Sequence, residues 1–461
     1  MKRLSGMDAM FLSMEGTAWP QHTVGLMILD PNTAPGFGYD TLRSHLQNRL
    51  PYMPQFRRRI QEVPLQLDRP VWIDDPGFWL DAHVHRAALP SPGGPRELAE
   101  FVGEILARPL NRNQPLWESW YLEGLEGGRV AFIAKTHHSM VDGVSGASLS
   151  DVLCDLEPGP VPPRADLPAV QAEPRHSDVE LFARGALSVA LTPPKLARYL
   201  RQTLDGAVTT ISHLRPDEPA PRPLSAPKTV VNGVISARRE FAHCSLPLVD
   251  IKRVKNQFGV KVNDVILDVV AGAVRAYLVK RDALPDRPIL ATVPMSTRTA
   301  EDVELGNMVH AMVASLATDV EDPVERLTAI HRGMNSAKAL AEDMQKKHRI
   351  DLSEVAPPIL LTLAFKAFRS ARLEERLPLG TNLIVSNVPG PPAPLYLAGA
   401  RIEHIFPVGP LTVGMGMNVT VMSYGNHVDV GVQVDPALVE DAWELTSAAA
   451  AELEKLVAAA G

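Results

Sequence analysis

"RVAFIAKTHHSMVDG", residues 129–143, decides how the first half of the chain is read. Val130 to Ala134 form an apolar run that continues through Lys135 and Thr136, and the stretch reads as a strand. It ends in two adjacent histidines, His137 and His138, followed by Asp142 and Gly143. Side chains alternate between the faces of a strand, so the two imidazoles are expected to point opposite ways.

That alternation weighs against one metal ion held by both rings, and no Cys/His cluster elsewhere supplies further ligands. His83 and His85 share a face of "DAHVHR" (81–86), but this pair alone reads as surface. A structural role for both motif histidines stays open, as does a turn role for Asp142, since Asp-Gly commonly holds local backbone. The chemical reading is one histidine at a strand end acting as general base, taking a hydroxyl or thiol proton near neutral pH. A covalent route finds little support. Ser145 in "GVSGA" (143–147) lacks the last glycine of a nucleophile elbow. Cys154 in "SDVLCDL" (150–156) reads as a helix residue buried on its apolar face.

Composition sets the frame for that motif. A chain of 461 residues exceeds one ordinary core, so two domains are expected. Hydrophobic content of 45% with 21% charge describes a globular protein, and a net charge of -7 gives nucleic acid no basic stripe. Cys154 and Cys244 are the only cysteines, which fits a reducing compartment. No run approaches the ~18 apolar residues of a spanning helix. The expectation is a cytoplasmic protein that touches an inner membrane or lipid body at most peripherally. "VILDVVAGAVRAYLV" (265–279) and "PPILLTLAFKAF" (357–368) read as buried helices.

Proline punctuates the chain at 157–174 and again at 215–228. The expected division is an N-terminal domain over 1–155, a crossover over 156–230 and a C-terminal domain over 231–461. Both domains mix strands and helices, so the class is α/β with mixed sheets and a cleft between the domains. "HTVGLMILD" (22–30) and "TNLIVSNVPG" (381–390) read as strands, and "GPRELAEFVGEILARPL" (94–110) as an amphipathic helix. "VGMGMNVTVMSYGNHVDVGVQVD" (413–435) reads as a hairpin turning at Gly425-Asn426. In the crossover, "PPKLARYLRQTL" (193–204) spaces Leu196, Tyr199, Leu200 and Leu204 helically beside Lys195, Arg198 and Arg201. That pattern suits a helix in an anionic interface or one packed on the protein itself.

"HHSMVDG" (137–143) resembles the His-His-x-x-x-Asp-Gly motif of the CoA-dependent acyltransferase superfamily. "LSGMDAMFLSME" (4–15), "PLWESWYLEGL" (115–125), "VNDVIL" (262–267) and "VPMSTR" (293–298) narrow the likeness. So do "LGNMV" (305–309), "SNVPGP" (386–391) and "GPLTVGMGMNVTVMSYG" (409–425). In order, they are similar to segments of the bacterial wax ester synthase/acyl-CoA:diacylglycerol acyltransferases. The resemblance implies two chloramphenicol-acetyltransferase-like domains with a tunnel at their interface, admitting acyl-CoA and a diacylglycerol or fatty alcohol. It implies His138 as the base, a loop-holding Asp142, and a place for Asn263 and Asp264 in or beside the active site. Read as residues alone, Asn263 and Asp264 look like an N-cap and its dipole partner. Pro115, Leu116 and Trp117 read as a strand entry with a packing anchor. Asn387 is a candidate pocket residue, and Ser296 and Arg298 are candidates for the CoA phosphates. No metal or resident cofactor is expected, acyl-CoA being a co-substrate. The rivals are an acyltransferase fed by a carrier protein and a non-catalytic lipid binder.

Overall fold

The computed structural model describes residues 2–140, 152–159, 173–199, 201, 224–296, 309–347, 355–378 and 380–461. Two six-stranded mixed sheets frame the molecule. The first runs β12 (Tyr396–Leu397), β13 (Ala400–Val408), β2 (His22–Asp30), β7 (Val130–His137), β6 (Trp117–Glu123), β5 (Val84–Ala88). The second runs β10 (Val309–Ser315), β9 (Leu290–Ser296), β11 (Leu383–Val388), β14 (Met417–Tyr424), β15 (His427–Val434), β8 (Glu240–Pro247). A small third sheet joins β1 (Lys2–Arg3), β4 (Val71–Asp74) and β3 (Arg58–Gln61). The mixed α/β class expected from the sequence is the class observed.

One strand links the two frames. β13 comes from the C-terminal part of the chain, yet it pairs antiparallel with β2 of the first sheet. From β13, the Ile405 N–H donates to Asp429 Oδ2 on β15 at 2.8 Å. The same carboxylate accepts from Ser245 Oγ at 2.7 Å and from His404 Nδ1 at 3.1 Å. A buried charge with several donors is satisfied where it stands, so Asp429 pins one sheet to the other.

The labelled helices are α1 (Gly6–Met14), α2 (Tyr39–Arg49), α3 (Pro95–Ala107), α4 (Asp178–Ala190), α5 (Leu248–Phe258), α6 (Val262–Lys280), α7 (Pro323–Lys347), α8 (Pro358–Ser370), α9 (Leu373–Arg376) and α10 (Ala442–Ala459). α6 is apolar nearly all round, which suits a helix enclosed by protein. It is buried from Asp264 to Val274. Its one buried charge beyond the first turn, Asp268, meets Arg326 of α7 at 2.8 Å, and Arg326 reaches Glu452 of α10 at 2.8 Å. Burial pushes the Asp268 carboxyl up to about 7 although Arg326 pulls it down. The hairpin turns at Gly425-Asn426 as read, Tyr424 pairing with His427.

Two readings are corrected. α8 is a surface helix rather than a buried one: only Pro358 is buried, and Leu360 and Leu363 are 53% and 54% exposed. An apolar run of that length specifies a helix but not what covers it. His83 is interior rather than surface, stacked on Trp117 at 4.6 Å with Nδ1 donating to the Trp117 carbonyl at 2.8 Å. Burial lowers its pKa. In the crossover, the helix breaks after α4 and resumes over 192–199, with Leu196 and Tyr199 half-buried. Leu200 and Leu204 lie outside the described residues.

Candidate active site

β7 delivers the two histidines. It lies between β2 and β6, and His137 is opposite His22. The ladder continues one step further, where the His138 N–H donates to the Gln21 carbonyl at 2.8 Å. The alternation therefore reaches His138, and the two imidazoles leave the strand on opposite sides. The His137 N–H donates to the Leu116 carbonyl at 2.9 Å, so the Pro-Leu-Trp segment holds the histidine strand in place. Trp117 is the packing anchor expected of it: its Nε1 donates to the Phe56 carbonyl at 2.8 Å, and its ring meets Phe56 edge-on.

The His137 face is sealed. His137 is fully buried, and the Ser139 N–H donates to its Nδ1 at 3.1 Å. That bond makes Nδ1 the acceptor and leaves the ring proton on Nε2, which faces Glu15 Oε1 at 3.4 Å. Arg112 grips the same carboxylate with Nε at 3.0 Å and Nη2 at 2.8 Å. Burial alone would raise the Glu15 carboxyl, but the His137 hydrogen bond and the Arg112 guanidinium draw it down to about 2. On the same face, Lys135 Nζ donates to the Ile105 carbonyl at 3.0 Å, and His22 Nε2 donates to the Leu106 carbonyl at 2.9 Å. Burial draws the Lys135 ammonium down to about 8 against the pull of Glu118. Burial likewise holds the His22 ring well below its usual range.

The His138 face is only partly covered. His138 is half-buried, and its ring stacks on Phe11 of α1 with centroids 4.1 Å apart. α1 starts at an N-cap, Ser5, whose Oγ accepts from the Asp8 N–H at 3.1 Å. Phe11 and Glu15 are four residues apart, so the α1 segment presses on one histidine and pairs with the other. Asp142, Gly143 and Ser145 lie outside the described residues. Cys154 is buried at 6% exposure, which suits an inert packing thiol.

A second group forms at the start of α6. The N-cap there is Lys261, so Asn263 is the second helical residue and not the cap. The capping carboxylate belongs to Asp264, whose Oδ2 accepts from the Lys261 N–H at 2.9 Å and from His331 Nδ1 at 2.6 Å. Asn263 is thereby free for a different contact: its Oδ1 accepts from Asn387 Nδ2 of β11 at 3.1 Å. Two candidates separated by more than a hundred residues thus meet. The Ser296 backbone ends β9, its side chain and all of Arg298 lying outside the described residues. Sequence reasoning missed Phe11, Glu15, Arg112 and His331. The i, i+4 spacing of Phe11 and Glu15 in "MDAMFLSME" was the available signal. The other two come from distant elements.

Residues 4–266 match the family described as wax ester synthase/diacylglycerol acyltransferase catalytic domain, and residues 305–457 match the WS/DGAT C-terminal domain. A Mycobacterium tuberculosis protein provisionally named a diacylglycerol O-acyltransferase is 36% identical over 99% of this chain and 90% of its own length. The solved wax ester synthase/diacylglycerol acyltransferase of Marinobacter aquaeolei VT8 superposes with a TM-score of 0.72 at 29% identity, covering 100% of both chains. The starter condensation domain of rhizomide synthetase has the same fold at 12% identity, with a TM-score of 0.58 over 100% of this chain and 94% of its own.

Proposed function

Because the chain belongs to the wax ester synthase/diacylglycerol acyltransferase family, we propose that it transfers a long acyl chain from CoA to the hydroxyl of a diacylglycerol, a fatty alcohol or both. His138 takes the hydroxyl proton as the oxygen attacks the thioester carbonyl. The C–S bond then breaks, and the imidazolium returns the proton to the CoA thiolate. Transfer is direct, without an acyl-enzyme, because positioning two substrates against one base can replace a covalent step. Asp142 holds the motif loop, and Asn263 with Asn387 sits beside the reacting carbonyl. No metal and no resident cofactor take part.

One observation carries the assignment of the base. Of two adjacent histidines, His137 is locked between Ser139 and Glu15, whereas His138 is half-buried on the opposite side under Phe11. A ring held by a carboxylate and a backbone donor is committed to structure; its neighbour retains access to substrate. The test is purified protein with radiolabelled palmitoyl-CoA, diacylglycerol and hexadecanol, with products separated by thin-layer chromatography. Label in triacylglycerol or wax ester is expected. Label held stoichiometrically on denatured protein without acceptor would replace direct transfer with a covalent route.

We place the protein in the cytoplasm, docked at the periphery of an inner membrane or lipid body. Among the described residues no helix is long and apolar enough to cross a membrane. α4 and α8 both border the turn at Pro64–Gln66, and Leu65, Val179, Leu187 and Leu363 around it are 71%, 79%, 61% and 54% exposed. Apolar patches of this kind suit a lipid surface. Sedimentation with neutral and anionic vesicles tests the idea, and Leu187→Asp should weaken binding.

A further inference from the structure

A cavity lies where α8 and α9 meet the turn after α1. It has a volume of about 350 Å³, and Trp19, Ile235, Lys366, Arg369, Ser370 and Glu374 line it. Arg369 stacks on the Trp19 ring at 4.7 Å. A Cβ at Gly16 would stand 2.1 Å from Arg369 Nη1, so the bare backbone at Gly16 is what admits the guanidinium. Among the described residues neither the Lys366 ammonium nor the Arg369 guanidinium has a hydrogen bond or ion pair. Glu374 is 4% exposed, and its Oε2 is buried without a partner. Glu374 is the buried group without a partner, which a finished interior does not leave. Beside it, among the described residues, the Arg369 guanidinium meets only the Trp19 ring and the exposed Lys366 ammonium meets no protein acceptor. The cavity thus offers a carboxylate and two cations to a ligand.

We propose that this cavity holds the phosphopantetheine arm of the acyl donor. Its phosphate lies on Lys366 and Arg369, and an amide N–H of the arm donates to Glu374. An anion alone would not account for the carboxylate, and a neutral lipid would not account for the two cations. A phosphate joined to a chain of secondary amides supplies both complements, and its methylenes lie on the apolar Ile235 wall. The position fits as well. Trp19 is two residues from Gln21, whose carbonyl takes the His138 N–H, and α8 packs on α1, whose Phe11 covers the His138 ring. The cavity and the imidazole thus border the same segment, α1 and the turn that follows it. The proposal rests on the acyl-CoA reading, and the donor it commits to is CoA.

The experiment uses the full chain and four proteins: wild type, Lys366→Glu, Arg369→Gln and Glu374→Gln. Lys366 is exposed and unpaired, so its replacement leaves the fold alone. Initial rates are measured with palmitoyl-CoA, with palmitoyl-N-acetylcysteamine, which has an amide but no phosphate, and with a palmitoylated holo-carrier protein. Lys366→Glu and Arg369→Gln should each raise KM for palmitoyl-CoA about tenfold, the usual cost of a lost charge-assisted contact. KM for the phosphate-free donor and for the acceptor should not change. Glu374→Gln should raise KM for both donors, since both carry the amide. In Lys366→Glu and Arg369→Gln, an equal shift for the phosphate-free donor, or no shift for CoA, would overturn the site. A lower KM for the carrier protein than for CoA would overturn CoA as the donor. If wild type transfers from no donor, the acyltransferase reading fails by itself. Calorimetric titration with free CoA then decides the site: binding weakened by Lys366→Glu upholds it, and equal binding overturns it.

Discussion

His137-His138 and Asn263-Asp264 are both neighbouring pairs in which one residue is sealed and the other faces outward, but the backbone separates them by different means. On β7 the separation is imposed by the pleat, since adjacent side chains must leave on opposite sides. His137 goes to the Glu15 carboxylate and His138 to the ring of Phe11. On α6 adjacent side chains are only about 100° apart, so a helix does not by itself divide them. There the capping box makes the division: Asp264 turns back to the Lys261 N–H and is 1% exposed, while Asn263 turns outward to Asn387. The strand pair is thus split by geometry and the helix pair by one hydrogen bond.

His138→Ala tests the strand pair with the largest expected effect. Activity should fall by about 10²- to 10⁴-fold, the usual contribution of a general base, with little change in melting temperature. His137→Ala should do the reverse, lowering the melting temperature because Glu15 is left buried without its imidazole. A loss below about tenfold in His138→Ala would end its role as base. Equal melting temperatures for both variants would end the distinction between the faces.

Acid titration sharpens the sealed half. The Glu15 carboxyl sits at about 2 in the folded chain against an ordinary 4.5. The unfolded chain therefore binds more protons between those values, so stability rises with pH across the window and is lost as pH falls through it. The swing is about 3 kcal/mol. Urea midpoints for wild type and Glu15→Gln should diverge least near about pH 2 and most above about pH 5. Parallel profiles would show that other carboxylates carry the acid sensitivity.

The helix pair carries a smaller expected change. Asp264→Ala removes a cap and the His331 contact, and should cost about 1–2 kcal/mol in thermal unfolding. Asn263→Ala should leave the melting temperature nearly unchanged. The opposite ranking would make Asn263 the structural member.

What the sequence disclosed follows from the same contrast. Period and turn chemistry identified β7, β2, α6 and the hairpin at Gly425-Asn426, because those signals are local. The opposed histidines were legible for that reason. The cap at α6 was misplaced, since "VNDVIL" permits Asn263 or Asp264 to serve and the hydrogen bond to Lys261 decides. His83 and α8 were misread in opposite directions. Whether a face is covered depends on Trp117 in one case and, among the described residues, on what leaves Leu360 and Leu363 exposed in the other, and neither is encoded nearby. Arg112 meets Glu15 across 97 residues, and β13 joins β2 across more than three hundred. Long-range pairing of this kind leaves no periodic trace. Motif resemblance reached Asn387, and only the fold set it against Asn263.

That contact allows the finest test of the comparison. Asn263 Oδ1 accepts a single hydrogen bond from Asn387 Nδ2, from the helix start of one element to a central strand of the other. If the two amides work as a unit beside the reacting carbonyl, removing either should disable both. Asn263→Ala, Asn387→Ala and the double variant then form a cycle read in kcat/KM. The coupling should be about 0.5–1.5 kcal/mol, the net worth of one hydrogen bond between neutral groups, with the double variant scarcely worse than the poorer single. Strict additivity would mean that each amide acts alone, and that the outward residue of the helix pair has no partner comparable to Phe11 over His138. Coupling in melting temperature with none in kcat/KM would make the contact a brace between α6 and β11. Only coupling in the rate would put the helix pair on the same footing as the strand pair, with one residue holding the structure and the other meeting the substrate.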